Sequence, residues 1–315
     1  MPMPITRIGR RLRFRDLEMF FAVVECGSMA KAAAQLGVTQ PSVSEIVASL
    51  ESAFGVRLLE RSPQGVTPTI YGQALLKRGL AALDELKQGQ RDISYLADPK
   101  VGEVRIGWPE SFSELLSALV RAFCLEHRGI ALRIHHLPAP TGELPELHSR
   151  KLDVALTRVT VPHLRGDNLN VEVLFDDAAV IAAGANSRWA RRRRIELADL
   201  VDAAWVGTPR DTPPTALLEQ AFRDKGLPVP TMQVTTFSVH LRARLLVEGE
   251  FLSCMPRSLL QVSTDGVALK ALPVKLAPQP FPVAIVTVKN RTLTPVVELF
   301  LERLRAFVKS GAARF

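Results

Sequence analysis

The sequence of 315 residues lacks an apolar run long enough to span a membrane, and it lacks the motifs of the common catalytic sites. It contains no glycine-rich phosphate loop, no Gly-x-Ser-x-Gly elbow and no His-Glu-x-x-His zinc motif. These absences argue against a membrane-spanning protein and against an enzyme. The composition, 47% hydrophobic and 23% charged, is typical of a globular chain with two or three domains.

Cysteine and histidine are scarce and dispersed. The three cysteines, Cys26, Cys124 and Cys254, are far apart and have no metal-binding partners at useful spacing, so we expect small buried side chains. His135 and His136 are adjacent on a predicted strand and point to opposite faces, which makes a shared metal ion unfavourable. We predict no cofactor and no metal, while a redox role for Cys124 or Cys254 stays open.

Acidic residues are fewer than basic ones. The chain has 40 Lys and Arg against 32 Asp and Glu, a net charge of +8, which suits a polyanionic partner. Its first residues carry arginine at positions 7, 10, 11, 13 and 15 and lack the apolar core of an export signal. We therefore predict a cytoplasmic protein without membrane association.

Two short helices joined by a tight turn lie between residues 27 and 59. Ser28 is a suitable N-cap for a helix over residues 29–36, and Gly37 can end that helix in the left-handed conformation. Thr39 can cap a second helix that runs to Phe54. This order predicts a helix-turn-helix, although helix pairs rich in small residues also occur in ordinary bundles.

The second helix has two distinct faces. Its apolar stripe, which must pack inside the domain, consists of Val43, Ile46, Val47, Leu50 and Phe54. Its outer face carries Pro41, Ser42, Glu45, Ala48, Ser49 and Ser52. Small and polar side chains on the outer face permit close approach to base edges in a major groove.

Residues 57–69 contain two short β-prone segments around the turn Ser62-Pro63-Gln64-Gly65, as in the wing of a winged helix. Together, residues 14–73 resemble the N-terminal domain of LysR-type transcriptional regulators. The matching features are the helix 17–26, Gly27-Ser28, Ala32-Ala33-Ala34, Thr39-Gln40-Pro41-Ser42-Val43-Ser44, Leu50-Glu51, Phe54-Gly55-Val56, Leu58-Leu59-Glu60-Arg61 and Thr69-x-x-Gly72.

The resemblance implies a bacterial, sequence-specific transcriptional regulator that binds double-stranded DNA as a homodimer or homotetramer, with RNA polymerase as a further partner. The DNA-binding residues that we predict are Lys31, Thr39, Gln40, Pro41, Ser42, Ser44, Glu45, Arg57 and Arg61. The outer face of the second helix departs from the family because it has no positive charge. Phosphate contacts then fall to Lys31, Arg57, Arg61 and the basic arm 7–15, and base contacts to Gln40, Ser42 and Glu45.

Residues 69–98 read as one long helix with an apolar seam. Leu76, Leu80 and Leu83 lie three or four residues apart and are followed by Leu86, Ile93 and Leu96, a pattern that pairs with another helix. In the family this linker helix forms the dimer contact, so we predict dimerisation through Leu76, Leu80 and Leu83. Gly79 and Gly89 weaken the helix.

After residue 101 short apolar strands alternate with helices, which predicts a mostly parallel α/β sheet. The predicted strands are 103–108, 130–136, 153–157, 171–183, 232–236, 251–255 and 282–288, and the predicted helices are 112–127, 144–151, 215–225, 238–248 and 294–308. The resemblance implies a periplasmic-binding-protein-like sensor of two subdomains, with the chain crossing near 161–166 and returning near 265–267. The expected domains are a winged helix-turn-helix 1–68, a linker helix 69–98 and an effector-binding domain 99–315, whose subdomain I spans 101–163 and 267–315 and subdomain II 164–266.

Ligands of such sheets bind at the carboxyl ends of strands, next to helix N-termini. The strand-to-helix turns therefore predict an effector site for a small-molecule co-inducer, with Ser111 capping the helix that follows it. The predicted contacts are Pro109, Ser111, Phe112, Thr141, Thr157, Thr208, Thr236 and Ser238, although each is also an ordinary cap or turn residue. Glu110 would oppose an acidic ligand unless Arg158 or Arg210 offsets it. The alternative is a solute-binding protein of a transporter, which shares the sensor fold but would not need a winged helix.

Overall fold

We describe the protein from a computed structural model, over residues 12–63, 65–137, 144–159, 168–210, 212–261, 268–276 and 281–312. Most of the basic arm, Thr141 and both predicted crossings lie outside these residues. The chain divides into two compact units, residues 1–89 and residues 90–315. Within the described residues, no helix is long and apolar enough to cross a membrane.

The first unit is a winged helix-turn-helix, as the sequence predicts. Its elements are the helices Phe14–Cys26 (α1), Met29–Leu36 (α2) and Gln40–Phe54 (α3), the strands Leu59–Ser62 (β1) and Gly65–Pro68 (β2), and the start of the helix Ile70–Ala97 (α4). The expected caps are present. Ser28 accepts a hydrogen bond from the amide of Lys31 at 3.5 Å, and Thr39 accepts one from the amide of Ser42 at 3.4 Å.

The core of this unit lies between α1, α2, α3 and α4. Phe20, Val23, Val43 and Val47 are fully buried in it, which confirms the apolar stripe of α3. Leu76, Leu80 and Leu83 of α4 pack against the same core, and Leu83 is 7% exposed. The predicted seam therefore faces the protein's own core, because α4 closes the winged helix. A dimer contact through these three leucines stays a prediction.

Hydrogen bonds to main-chain atoms hold the wing in place. The carboxylate of Glu51 accepts hydrogen bonds from the amides of Leu58 and Leu59, at 2.8 and 3.2 Å. The amide of Val66 donates to the carbonyl of Gly27 at 2.9 Å. Gly65 adopts a φ of +131°, and a Cβ there would lie 2.7 Å from the Gly27 oxygen. Glycine is thus required where the wing meets the turn between α1 and α2.

The second unit contains two five-stranded sheets. The strands of the first are Gly102–Trp108 (β3), Ile130–His136 (β4), Val154–Arg158 (β5), Leu169–Asp176 (β6) and Pro282–Val288 (β12). Their order is β4-β3-β5-β12-β6, with β3 parallel to β4 and β5, and β12 antiparallel to its neighbours. The helices Ser113–Glu126 (α5), Pro145–His148 (α6) and Pro295–Phe307 (α9) accompany it, with a π turn Val308–Ala312 after α9.

The strands of the second sheet are Ala179–Gly184 (β7), Ala204–Gly207 (β8), Met232–Thr235 (β9), Phe251–Pro256 (β10) and Leu269–Ala271 (β11). Their order is β11-β7-β10-β8-β9, with both parallel and antiparallel pairs. The helices Pro213–Asp224 (α7) and Val239–Val247 (α8) accompany it. Three 3₁₀ turns complete the unit, at Glu110–Phe112, Leu197–Leu200 and Arg257–Gln261.

The strands correct two predictions. The predicted strand 171–183 is in fact two strands in different sheets, β6 and β7, separated by Asp177 and Ala178. The predicted subdomain bounds also differ from the sheets, because β6 belongs to the first sheet and β11 to the second. The chain therefore passes from one sheet to the other between β6 and β7, and it returns after β11.

A buried carboxylate anchors the end of α4 within the second unit. Asp153 is fully buried and forms ion pairs with Arg105 at 2.6 Å, Arg291 at 3.0 Å and Arg91 at 3.5 Å. Arg91 lies on the last turns of α4, whereas Arg105 belongs to β3. The cluster thus fixes this part of the helix to the first sheet.

Candidate DNA-contacting surface and effector cleft

The outer face of α3 is open. Of the residues predicted to bind DNA, Ser42 and Ser44 are half-buried, and those that are exposed are Lys31, Thr39, Gln40, Pro41, Glu45, Arg57 and Arg61. The hydroxyl of Thr39 lies 3.0 Å from that of Ser42, so the helix cap already engages both groups. Gln40 and Glu45 lie on the same helix, and among the described residues their side chains form no hydrogen bond or ion pair.

Three basic residues lie around this face. Within the described part of the chain, none of Lys31, Arg57 and Arg61 forms an ion pair. Surface arginines and lysines that lack protein partners can neutralise phosphates and release counterions. The first unit therefore combines a polar helix face with unpaired cations beside it, the arrangement that suits a DNA groove and its backbone.

A cleft separates the two sheets of the second unit, with an empty space of about 620 Å³ that is partly open to solvent. The residues that line this cleft come from both sides. On the side of the first sheet they are Pro109, Glu110, Ser111, His136, Leu137, Arg158 and Phe281, and on the other side they are Thr208, Thr212, Pro213, Pro214, Phe237, Val239, Arg242, Pro256 and Leu259. Both subdomains thus contribute to one site.

Arg158 is the most strongly held charge in the cleft. Its Nη1 donates to Ser111 at 2.8 Å, and its Nη2 donates to Asp177 at 2.6 Å and to Ser258 at 3.1 Å. The guanidinium carbon lies 4.3 Å from the centre of the Phe112 ring. Burial lowers the pKa of Arg158, and the neighbouring carboxylate of Asp177 partly opposes that shift. The side chain therefore joins β5 to the connection between β6 and β7 and to the turn after β10.

Glu110 and Arg242 are the other charges in the cleft. Oε2 of Glu110 accepts a hydrogen bond from the amide of Val239 at 3.2 Å, which links the first subdomain to the N-terminus of α8. Arg242 is 4% exposed, and its Nε and Nη1 have no acceptor among the described residues. Burial lowers the pKa of Arg242 to about 10, and the carboxylate of Glu110 opposes the shift. Arg242 therefore remains a cation at neutral pH.

The predicted effector contacts divide into two groups. Pro109, Ser111 and Thr208 line the cleft. Phe112, Thr157, Thr236 and Ser238 are not part of its lining. Phe112 is fully buried under Arg158, and Thr157 is buried inside β5, where the alternation of side chains turns Arg158 to the cleft instead.

The caps explain the rest of the second group. The hydroxyl of Thr236 accepts from the amide of Ser238 at 3.1 Å, and that of Ser238 accepts from the amide of Leu241 at 3.2 Å. Ser111 is not the cap of α5, contrary to our prediction, because it lies in the 3₁₀ turn before that helix and accepts from Arg158. Thr141 lies outside the described residues.

Sequence reasoning missed Arg242. It lies on α8 between the buried residues Val239, Ala243 and Leu246, on the face that turns inward. A charged residue within the apolar stripe of an amphipathic helix is the signal that could have identified it, because buried charges are rare without a partner or a role.

The cysteines agree only in part with the expectation of burial. Cys254 is buried, Cys26 is half-buried, and Cys124 is exposed. Burial raises the pKa of the Cys254 thiol to about 12. Cys26 donates to the side-chain oxygen of Gln35 at 3.1 Å.

Comparison with known proteins identifies two matching parts of the chain. Residues 14–73 match the bacterial regulatory helix-turn-helix proteins of the lysR family, and residues 97–309 match the LysR substrate binding domain. The uncharacterized HTH-type transcriptional regulator YdcI of Escherichia coli K12 is 25% identical over 298 residues, which cover 94% of this chain and 96% of YdcI. The HTH-type transcriptional regulator GbpR of Azospirillum brasilense is 25% identical over 300 residues, 94% of this chain and 86% of GbpR.

The fold is also that of a solved regulator. The crystal structure of CbnR, a LysR family transcriptional regulator, superimposes with a TM-score of 0.61 at 22% identity, covering 96% of this chain and 100% of CbnR. The substrate-domain match alone spans more than half of the chain. The chain therefore belongs to the LysR family of bacterial transcriptional regulators, with a DNA-binding helix-turn-helix followed by an effector-binding domain.

Proposed function

We propose that this regulator places α3 in the major groove of an operator, with Gln40, Ser42 and Glu45 at base edges and Arg57 and Arg61 at phosphates. The observation that carries this proposal is the open polar face of α3 beside cations without ion-pair partners among the described residues. Base contacts specify sequence, whereas phosphate contacts set position and affinity. The site of action is the cytoplasm, where bacterial DNA lies.

The second part of the proposal concerns the effector. A small molecule binds in the cleft and changes the relation of the two subdomains, which shifts the population of DNA-binding states. The hydrogen bond from Val239 to Glu110 supports this role, because it joins the subdomains across the space that a ligand would enter. The bound state then alters DNA bending and the contact with RNA polymerase.

The third part concerns assembly. The regulator acts as a homodimer or homotetramer, with two winged helices on half-sites related by two-fold symmetry. Exposed apolar side chains on α4 support this assembly, since Leu86 is 53%, Ile93 69% and Leu96 78% exposed. Such side chains on one helix are suited to pairing with a second copy.

The test begins with selection of a binding motif from random DNA by the full-length protein. Ser49→Trp places a bulky side chain on the outer face of α3, where Ser49 is exposed, and should abolish binding to the selected motif. The matched control is Gln73→Trp, at an exposed neutral position of α4, which should bind normally. Normal binding by the Ser49 variant would contradict the placement of α3 in the groove.

A further inference from the structure

One cation that lines the cleft, Arg242, forms no hydrogen bond or ion pair with the residues that the structure describes. Arg158 is paired with Asp177, and its two Nη atoms donate to Ser111, Asp177 and Ser258, although its Nε has no acceptor among the described residues. Arg210, the other arginine considered from the sequence, pairs with Glu219 at 3.2 Å and is not part of the lining. Arg242 lines the cleft, is almost fully buried, and has two N–H groups without an acceptor in the described structure.

A buried guanidinium without acceptors is unfavourable for the folded protein. Charged groups inside proteins are normally paired and hydrogen-bonded, because burial removes the water that would solvate them. Arg242 is one of the residues that line the cleft, so a ligand held in the cleft lies next to this side chain. The missing partner therefore has the chemistry of an anion.

Glu110 limits how much negative charge the ligand can carry. Its carboxylate is bonded to the amide of Val239, and in the described structure it forms no ion pair with Arg242. It thus remains in the cleft as a second negative charge beside any anionic ligand. The attraction to Arg242 and the repulsion from Glu110 both grow in proportion to the ligand's charge, whereas the cost of removing the ligand from water grows with the square of that charge. The cleft therefore favours a monoanion over a dianion.

The remaining walls favour an apolar ligand body. The apolar side chains of the lining are Leu137, Phe237, Val239, Leu259 and Phe281, together with four prolines. Specificity in such a site comes from a few polar groups placed in an apolar enclosure.

We propose that the cleft binds a small monocarboxylate with an apolar body, and that Arg242 is its counter-ion. This proposal rests on the proposed function, in which the cleft holds the effector. The carboxylate accepts hydrogen bonds from the guanidinium, and the apolar part lies against the phenylalanine and leucine side chains.

Thermal unfolding of the full-length protein tests the proposal with hexanoate and phenylacetate, each beside its primary amide and the corresponding amine. The acids should raise the unfolding midpoint with increasing concentration, because a ligand that binds the folded state stabilises it, and the amides and amines should not. Arg242→Met should weaken acid binding by at least about 30-fold. The control Arg210→Met should bind the acids as the wild-type protein does.

A second measurement needs no ligand. Removing a buried cation without partners should leave the ligand-free Arg242→Met protein at least as stable as the wild-type protein. Strong destabilisation of that variant would show a structural role and overturn the proposal. Glu110→Gln should bind the acids more tightly, since it removes the opposing charge.

A variant that fills the cleft tests separately whether the cleft is the effector site and whether the effector is a carboxylate. His136 is exposed and lines the cleft, so His136→Trp should block it without disturbing the core. If amides or amines bind the wild-type protein and fail to bind this variant, the cleft is the ligand site and only the carboxylate assignment is wrong. If the acids bind this variant unchanged, the cleft itself is wrong as the effector site. A wild-type protein that none of the acids stabilises overturns the carboxylate assignment.

Discussion

Arg158 and Asp177 form an ion pair of 2.6 Å in which the two side chains are only 5% and 0% exposed. Asp177 also accepts from the amide and the hydroxyl of Ser258, at 3.0 and 2.7 Å. The pair lies where the chain passes from the first sheet to the second, so one buried carboxylate holds parts of both subdomains together.

Asp177→Asn should therefore destabilise the second unit strongly. Breaking a buried pair leaves Arg158 as an uncompensated charge, a loss of about 3–5 kcal/mol in the free energy of unfolding. All three tryptophans, Trp108, Trp189 and Trp205, lie in this unit, so urea unfolding followed by tryptophan fluorescence measures the effect. The control Arg194→Gln breaks the exposed pair with Glu196 and should change stability by less than about 1 kcal/mol. Equal stability of the two variants would contradict this account.

Glu45 and Arg61 should affect DNA binding in different ways. Glu45→Ala should relax preference at one base pair by about 1–3 kcal/mol, because the carboxylate can accept a hydrogen bond from a cytosine amino group. Arg61→Ala should weaken binding to all sequences and reduce the salt dependence by about one unit. Motif selection and salt titrations measure these effects. An unchanged motif for the Glu45 variant would exclude its role in base reading.

Substitutions along α4 should separate folding from assembly. Leu83→Asp places a charge in the core of the winged helix and should cost about 3 kcal/mol or more of stability, measured by circular dichroism. Leu96→Asp changes an exposed side chain, so it should leave stability unchanged and weaken self-association in sedimentation experiments. Undiminished association of the Leu96 variant would place the dimer contact elsewhere.

Two glycines of α4 should respond to alanine in opposite directions. A Cβ on Gly72 would lie 2.1 Å from the carbonyl oxygen of Leu58, so Gly72→Ala should cost about 1–3 kcal/mol. A Cβ on Gly89 would meet nothing within 4 Å, so Gly89→Ala should add about 0.5–1 kcal/mol through helix propensity. Urea unfolding measures both, and destabilisation by Gly89→Ala would contradict the open surroundings of that site.

Cys124 and Cys254 should differ in reactivity. At pH 8 a thiol with a pKa of about 12 is almost entirely protonated, and the thiolate is the nucleophile. Iodoacetamide should therefore alkylate the exposed Cys124 and leave the buried Cys254 unmodified in the native protein, as measured by mass spectrometry. Cys124→Ser should remove the fast reaction. Rapid labelling of Cys254 would show that its surroundings open readily.

The winged helix could be predicted closely because its signals are local. Ser28, Thr39 and Gly37 fix helix ends through caps and a left-handed residue, and each acts within four residues of its own position. The sensor depends instead on contacts between distant residues. The strand prediction missed the break at Asp177-Ala178, because the apolar residues on both sides appear continuous although they belong to different sheets.

The cleft was harder to predict than the fold. Pro109, Ser111 and Thr208 could be predicted as cleft residues because they lie in turns after strands, and the topology brings such turns to the same edge of a sheet. Which of two adjacent residues faces the cleft depends on strand register, and this placed Arg158 there instead of Thr157. Arg242 could not be assigned from the turns because it lies inside a helix.

Gly79 shows how a residue that weakens a helix can be required by packing. A Cβ at Gly79 would lie 2.6 Å from the Phe21 ring. Glycine lowers the helix propensity of α4 at this position, but it allows α4 to pack closely against α1. The sequence pattern shows only the lower helix propensity, because the partner ring of Phe21 is far away along the chain.

The wing is held by the amide of Val66 on the carbonyl of Gly27, and by Glu51 on the amides of Leu58 and Leu59. These bonds use main-chain atoms of the wing and none of its exposed side chains. Residues such as Arg61 and Thr67 are therefore free to vary during evolution without shifting the hairpin register. Selection can tune the overall strength of operator binding at the wing independently of the bases that α3 reads. A protein engineer can graft a foreign wing sequence onto this scaffold if Gly65 and the core-facing residues Leu59 and Val66 are kept.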